Sequence, residues 1–262
     1  MLKQIEVLGV NCHLFTIDSL NGLVAEKVAS RQKTIIANHN LHSVYLYHRN
    51  RSFKEFFKLA DFVHIDGMPL VYWSKIVGYK VKKENRITYL DWIGPLLEVA
   101  QKEGLRVFYL GGKSGVARAA IETLQGQYNR VAFGERDGYF DMSDSLANDS
   151  VLQMINAFQP DILMVGMSMP RQELWIKQNL DQLPNCVILP CGACFDYIAG
   201  QVKTPPRFLG SIGLEWLYRF FQEPKRLFSR YFVEPVYLMP LLAKDLKNRI
   251  LKRRTASVKS SE

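Results

Sequence analysis

Asp66 follows the apolar run Phe62-Val63-His64-Ile65 and precedes Gly67, which places a carboxylate on a loop at the end of a buried strand. From there it could take the proton of a substrate hydroxyl. An Asp beside a Gly is also a common turn former, so the pair alone leaves both roles open. Other apolar runs end in the same way. Asn38 and Asn40 follow Thr34-Ile35-Ile36-Ala37, and Gly111 and Gly112 follow residues 106–110. Gly166 to Glu173, including Gln172, follows Ile162-Leu163-Met164-Val165, and Gly192 to Asp196 follows Val187-Ile188-Leu189. Amides, hydroxyls and free backbone N–H groups suit a polar ligand, and Arg219, Arg226 and Arg230 further along suit a phosphate. No Asp-x-Asp occurs, which argues against a divalent ion bridging a nucleotide diphosphate. Leaving-group charge would then fall to Arg side chains and helix N-termini.

Two nucleotide signatures fail. Gly112-Lys113-Ser114 lacks the glycine that a Walker A loop requires five positions earlier, where Val107 stands, and Gly111, Gly112 and Gly115 do not fit G-x-G-x-x-G. What remains is a strand delivering flexible backbone to a helix start, which fits either an anion-binding turn or a tight connection. Cys191-Gly-Ala-Cys194 has the spacing of zinc knuckles and thiol redox sites, but no second ligand pair follows, and both cysteines read as small buried residues.

Positioning these groups requires strands alternating with helices. Residues 5–10 form a strand that pairs through a Gly9–Asn11 turn with residues 14–16. Helical spacing then covers 19–31, 68–77, 89–103, 116–128 and 143–158, with a further helix reaching Leu180. Residues 80–86, five of the seven charged, read as a mobile loop. The expected fold is α/β: a mainly parallel, Rossmann-like sheet with helices on both faces, its strand ends converging on one polar rim, plus a C-terminal helical basic appendage. The boundary falls at Thr204-Pro205-Pro206, giving a catalytic core over 1–202 and an appendage over 203–262.

The net charge of +9 is concentrated in that appendage, whose 13 Lys/Arg and 5 Asp/Glu give +8 and leave +1 for the rest. Within it, residues 208–221 read as one helix and 225–231 as another, with Arg226 and Arg230 sharing a face. Residues 232–242 are apolar but broken by Glu234, Pro235 and Pro240, and a basic tail (Lys244, Lys247, Arg249, Lys252, Arg253, Arg254, Lys259) follows. Aromatics with Lys/Arg and no spanning run describe a surface lying on an anionic leaflet, favoured here over nucleic acid. No run of about 18 apolar residues and no signal-peptide layout is present, so the expected location is cytoplasmic, peripheral on the inner face of the membrane.

The chain resembles the WecG/TagA/CpsF glycosyltransferases. The resemblance spans residues 5–235 and rests on Asn38 and Asn40, Asp66-Gly67, Gly111-Gly112, Gly138-Tyr139-Phe140, Gly166 with Pro170-Arg-Gln-Glu-Leu-Trp175, Gly192-Ala-Cys-Phe-Asp196, Ala199-Gly200, Gly213 to Arg219, Glu223-Pro224 and Arg226. It implies an inverting, metal-independent transfer of a sugar from a UDP-sugar to a polyprenyl-diphosphate-linked sugar, without a cofactor. In it Asp66 would be the base, Asn38 the polar group beside it, and Arg219, Arg226 and Arg230 the appendage arginines that meet the diphosphate. Members transfer N-acetylmannosamine, its uronic acid or glucose-type sugars. Where many members carry Thr this chain has Ile36, and where many read Arg-Ala-Pro it has Thr204-Pro205-Pro206, with Lys203 and Arg207 alongside. A homo-oligomer formed through the face the appendage would cover is compatible with this reading. The competing readings are a non-catalytic nucleotide or lipid-phosphate binding module, and a Rossmann oxidoreductase that the failed glycine pattern weakens.

Overall fold

A computed structural model of the chain describes residues 2–211 and 213–259, and of Arg207, Ser211 and residues 252–259 only the backbone. In order, the elements are β1 (Gln4–Val7), β2 (Val10–His13), α1 (Ile17–Ala29), β3 (Thr34–His39), α2 (Leu41–Arg49), α3 (Arg51–Leu59), β4 (Phe62–Ile65), α4 (Met68–Ile76) and α5 (Tyr89–Glu103). Then come β5 (Arg106–Gly111), α6 (Val116–Gln125), β6 (Ala132–Arg136), α7 (Ser145–Phe158), β7 (Ile162–Gly166), α8 (Arg171–Asn179), β8 (Val187–Pro190) and α9 (Cys194–Ile198). The C-terminal part holds α10 (Arg207–Ser211), α11 (Glu215–Gln222), α12 (Pro224–Phe228), a π-helix (Ser229–Val233) and α13 (Glu234–Lys259).

Strands β4-β3-β8-β7-β5-β6 form a six-stranded sheet, parallel throughout, while β1 and β2 form a separate antiparallel hairpin. The apolar runs bury both sheet faces, because alternate residues point to opposite sides. Ile36, Tyr109, Met164 and Leu189 pack with α1, α5 and α6 (Leu20, Trp92, Ile121), whereas Ile35, Phe108, Leu163 and Ile188 pack with α3, α7 and α8 (Phe56, Ile155, Trp175). A third cluster joins the hairpin to α2 and α4 and takes in Leu238 of α13.

Four expectations change. The hairpin partner is Val10–His13, not residues 14–16: Leu8 and Gly9 both adopt positive φ (52° and 72°), and such a two-residue turn starts the second strand at once. Residues 80–86 are anchored, not loose. Val81 and Ile87 are buried, Asn85 Nδ2 donates to the Phe15 carbonyl at 3.0 Å, and only the Lys82, Lys83 and Glu84 side chains of the stretch 81–86 face outward. The helix expected over 208–221 breaks at Gly213, whose φ of 78° cannot continue a helix; Ile212 lies outside the described residues. Finally, Glu234, Pro235 and Pro240 do not interrupt helix formation. Pro235 follows the π-helix directly within one continuous helical run, and Pro240 is accommodated within α13 beside the exposed Val236 and Met239.

Helix α13 is bound to the core through Asp245, whose Oδ2 accepts from Leu8 N at 2.8 Å and from Trp73 Nε1 at 3.1 Å. The side chains of Lys252, Arg253, Arg254 and Lys259 in the basic tail lie outside the described residues. Removing a carboxylate that satisfies two donors costs about 2 kcal/mol. Asp245→Ala should therefore lower the thermal unfolding midpoint by roughly 4–8 °C, measured by circular dichroism.

Candidate active site

A cavity of about 540 Å³ opens outside the carboxyl ends of β3, β4, β7 and β8, with the C-terminal helices across it. Asn38, the fifth residue of β3, is buried; its Nδ2 donates to the Pro190 carbonyl at 3.2 Å, and its Oδ1 has no partner among the described residues. Asn40 caps α2, with Oδ1 accepting from Ser43 N at 3.1 Å, and its Nδ2 donates to Asp66 Oδ2 at 3.0 Å. One side chain thus both starts a helix and orients the carboxylate. Gly67 then caps α4 in an extended conformation, and a Cβ there would stand 3.4 Å from that of Asn40.

Burial pushes the Asp66 carboxyl up to about 6. The Asn40 hydrogen bond opposes this, Glu215 adds to it, and the Arg86 and Arg219 charges pull it down. A carboxyl titrating near 6 is ionised at neutral pH and remains basic enough to accept a proton.

The C-terminal helices bring Arg219 (α11), Arg226 (α12) and Arg230 (π-helix) to the cavity together with Tyr197 and Tyr231. Burial works against the charge of Arg219, but Tyr197, Tyr231, Glu215 and Asp66 outweigh it, so its pKa moves up. Arg230 moves down through burial and the like charge of Arg219. Arg226 pairs with Glu223. The wide turn Ser229–Val233 presents Arg230 and Tyr231 to the cavity, a common use of local π geometry. Two polar links hold these helices to the core at the cavity wall. His42 Nδ1 and Glu234 Oε2 are 2.7 Å apart, and Arg86 contacts Asp91 at 2.8 Å and Glu215 at 3.4 Å.

The walls include Asn38, Asn40, Asp66, Gly67, Gln172, Gly192, Arg219, Arg226 and Arg230 from among the residues expected at the site. Gly111, Gly112, Gly166, Glu173 and Asp196 lie outside the lining. Gly111 and Gly166 are opposite one another on β5 and β7, and a Cβ on Gly111 would meet the Gly166 carbonyl oxygen at 2.4 Å. A Cβ on Gly166 would meet the Gly192 carbonyl oxygen at 2.6 Å, so close packing below the cavity requires both glycines. Gly112 N donates to the Gly166 carbonyl. Asp196 is half-buried, and burial raises its pKa against the pull of Lys113 and Arg226. Cys191 and Cys194 are free, buried thiols in the wall. Arg86, Tyr89, Glu215 and the His42–Glu234 pair were not among the expected site residues. Arg86 was masked by the charge of its neighbours, and only the alternation Val81/Ile87 with Lys82-Lys83-Glu84 could have marked that loop as anchored.

The parallel doubly wound sheet with its crevice at the strand ends is a Rossmann-like architecture, and the sequence comparisons identify the class of enzyme it carries as a glycosyltransferase. The glycosyl transferase WecG/TagA/CpsF family matches residues 5–252, and the chain belongs to that family. It is 28% identical over 205 residues to the N-acetylglucosaminyldiphosphoundecaprenol N-acetyl-beta-D-mannosaminyltransferase of Staphylococcus aureus strain MW2, covering 74% of this chain and 78% of the relative. The same figures hold for the enzyme of that name from strain NCTC 8325 / PS 47. Among the described residues no helix is long and apolar enough to cross a membrane.

Because the folded Asp66 carboxyl titrates near 6 and an unfolded one near 3.8, the native state holds the proton longer. Stability therefore falls as pH rises from about 4 to 6, by up to roughly 3 kcal/mol. Asp66→Asn should flatten this part of the curve, checked by thermal unfolding midpoints between pH 4 and 7.

Proposed function

We propose that the enzyme transfers a sugar, with inversion and without a metal ion, from a UDP-sugar to a polyprenyl-diphosphate-linked sugar for cell-surface polysaccharide synthesis. The observation that carries this reading is Asp66: a carboxylate held by Asn40, shifted to about 6 by burial, in a cavity that also contains Arg219, Arg226 and Arg230. Asp66 accepts the proton of the acceptor hydroxyl as its oxygen forms a bond to the anomeric carbon, and the bond from that carbon to UDP breaks. The arginines meet the charge gathering on the departing diphosphate, the task a divalent ion has in other transferases. Asn38 Oδ1, buried without a partner among the described residues, and Asn40 hold a sugar hydroxyl near the base, with Gly67, Gln172 and Gly192 as further wall contacts. Gly111, Gly112, Gly166, Glu173 and Asp196 support that wall from behind.

The relatives' name specifies transfer of N-acetylmannosamine to N-acetylglucosaminyldiphosphoundecaprenol. That supports an acceptor of the same class here, with a donor sugar of the N-acetylmannosamine type, its uronic acid or a glucose type. Residues 203–262 act as the membrane-associating appendage of the core 1–202, at the inner face of the cell membrane. Phe221, Phe228, Val236, Tyr237 and Met239 are exposed on it beside Lys225 and Lys244. Such a surface takes up an acyl boundary while its cations meet anionic headgroups.

With a UDP-sugar donor series and a lipid-diphosphate-sugar acceptor, UDP release by Asp66→Asn should fall by at least about 10³-fold with the fold intact, and wild-type kcat/KM should decline as pH drops through about 6. Unimpaired turnover by Asp66→Asn would remove it as the base. The chain should also sediment with vesicles containing anionic lipid and release as salt rises, while Phe221→Ser combined with Met239→Ser weakens retention about tenfold or more.

A further inference from the structure

Helix α8 begins with three consecutive polar side chains that have different partners. Arg171 donates to the carbonyls of Gly138 and Phe140, tying down the turn after β6. Gln172 reaches the cavity wall, and Glu173 lies behind it, 1% exposed. Gly192 N can only donate, and it donates to Gln172 Oε1 at 3.1 Å. This fixes which end of the Gln172 amide is oxygen. Its Nε2 then donates to Glu173 Oε1 at 2.7 Å, leaving one amide hydrogen uncommitted among the described residues. Among the described residues Glu173 Oε2 has no hydrogen-bond partner and no cation pairs with this carboxyl. A carboxyl buried without a counter-charge exists as the neutral acid.

We infer that Glu173 is a positioning residue for the transfer: as a neutral acid it locks the Gln172 amide against the Gly192 N–H and so presents one fixed N–H to an oxygen of the bound nucleotide sugar. Glu173 itself does not touch substrate. The inference rests on the transfer reading for its substrate and on geometry alone for the Glu173–Gln172–Gly192 relay. Burial holds Glu173 up to about 8, so it keeps its proton across the neutral range. Tyr89 from α5 faces Glu173, with Cys191 and Cys194 after β8 beside it, and burial keeps all three in their neutral forms as well. They add no charge that would favour ionisation of Glu173.

The unfolded carboxyl loses its proton near 4.5 and the folded one near 8, so wild-type stability should decline as pH rises from about 5 to 8. Thermal midpoints over that range, with Glu173→Gln and Glu173→Ala beside wild type, need no substrate. Glu173→Gln, isosteric with the neutral acid, should flatten the decline. In UDP-release assays Glu173→Ala should raise KM about tenfold with a smaller effect on kcat, Glu173→Gln should recover most of that loss, and adding Gln172→Ala to Glu173→Ala should cost little more. A wild-type midpoint independent of pH from 5 to 8, a Glu173→Gln variant as impaired as Glu173→Ala, or losses at 172 and 173 that multiply would each overturn the inference. Failure of wild type to release UDP from any donor would refute the transfer reading instead, and the thermal series would still decide whether Glu173 is a neutral buried acid.

Discussion

The cost of burying the Asp66 carboxylate organises this site. Left in water, the group would titrate near 3.8 and be a poor base; moved into the cavity it would stay protonated unless something favoured its charge. Asn40 and the guanidinium groups of Arg86 and Arg219 supply part of that compensation, while Glu215 works against it. The balance leaves a carboxyl that is ionised at neutral pH and only just so. Because the lowering contribution of Arg219 and the raising one of Glu215 both come from α11, and Arg86 is itself in contact with Glu215, the protonation state of Asp66 depends on how the C-terminal helices sit.

Their placement is itself a consequence of polar links. Glu215 precedes Arg219 by four residues on α11, so the contact between Arg86 and Glu215 sets the face on which Arg219 approaches the cavity. At the other end, His42 and Glu234 join the start of α2 to the start of α13, and the π-helix immediately before Glu234 presents Arg230. Leu238 and Asp245 then fasten α13 to the hairpin and α4. The C-terminal segment therefore completes the cavity, and its packing on the core fixes where Arg219 and Arg230 stand in it.

The fold was legible where one periodicity dominated. Both-face burial turns parallel strands into apolar runs, and β3, β5, β7 and β8 could be read within a residue or two from that property. The alternation with helices then placed Asp66, Asn38, Gln172 and Gly192 on one rim. Reading failed where backbone conformation decided the outcome: the positive φ of Leu8 that shortens the hairpin turn, Gly213 dividing a helix, and a π turn that carries the chain through Glu234 and Pro235. The glycines show the same limit. Gly111 and Gly166 were expected as ligand contacts because glycine permits close approach; what stands nearest them is the Gly166 backbone on β7 for the first, the Gly192 carbonyl after β8 for the second, and the Tyr109 hydroxyl for both. Sequence shows that space is needed at such positions and does not show for what.

The most direct test is to titrate the Asp66 carboxyl itself, by carbon-detected NMR of ¹³C-labelled protein, in wild type and in Arg219→Ala. A midpoint near 6 that rises when Arg219 is removed would establish a buried base tuned by the C-terminal helices. A midpoint near 3.8, unmoved by the substitution, would contradict the account.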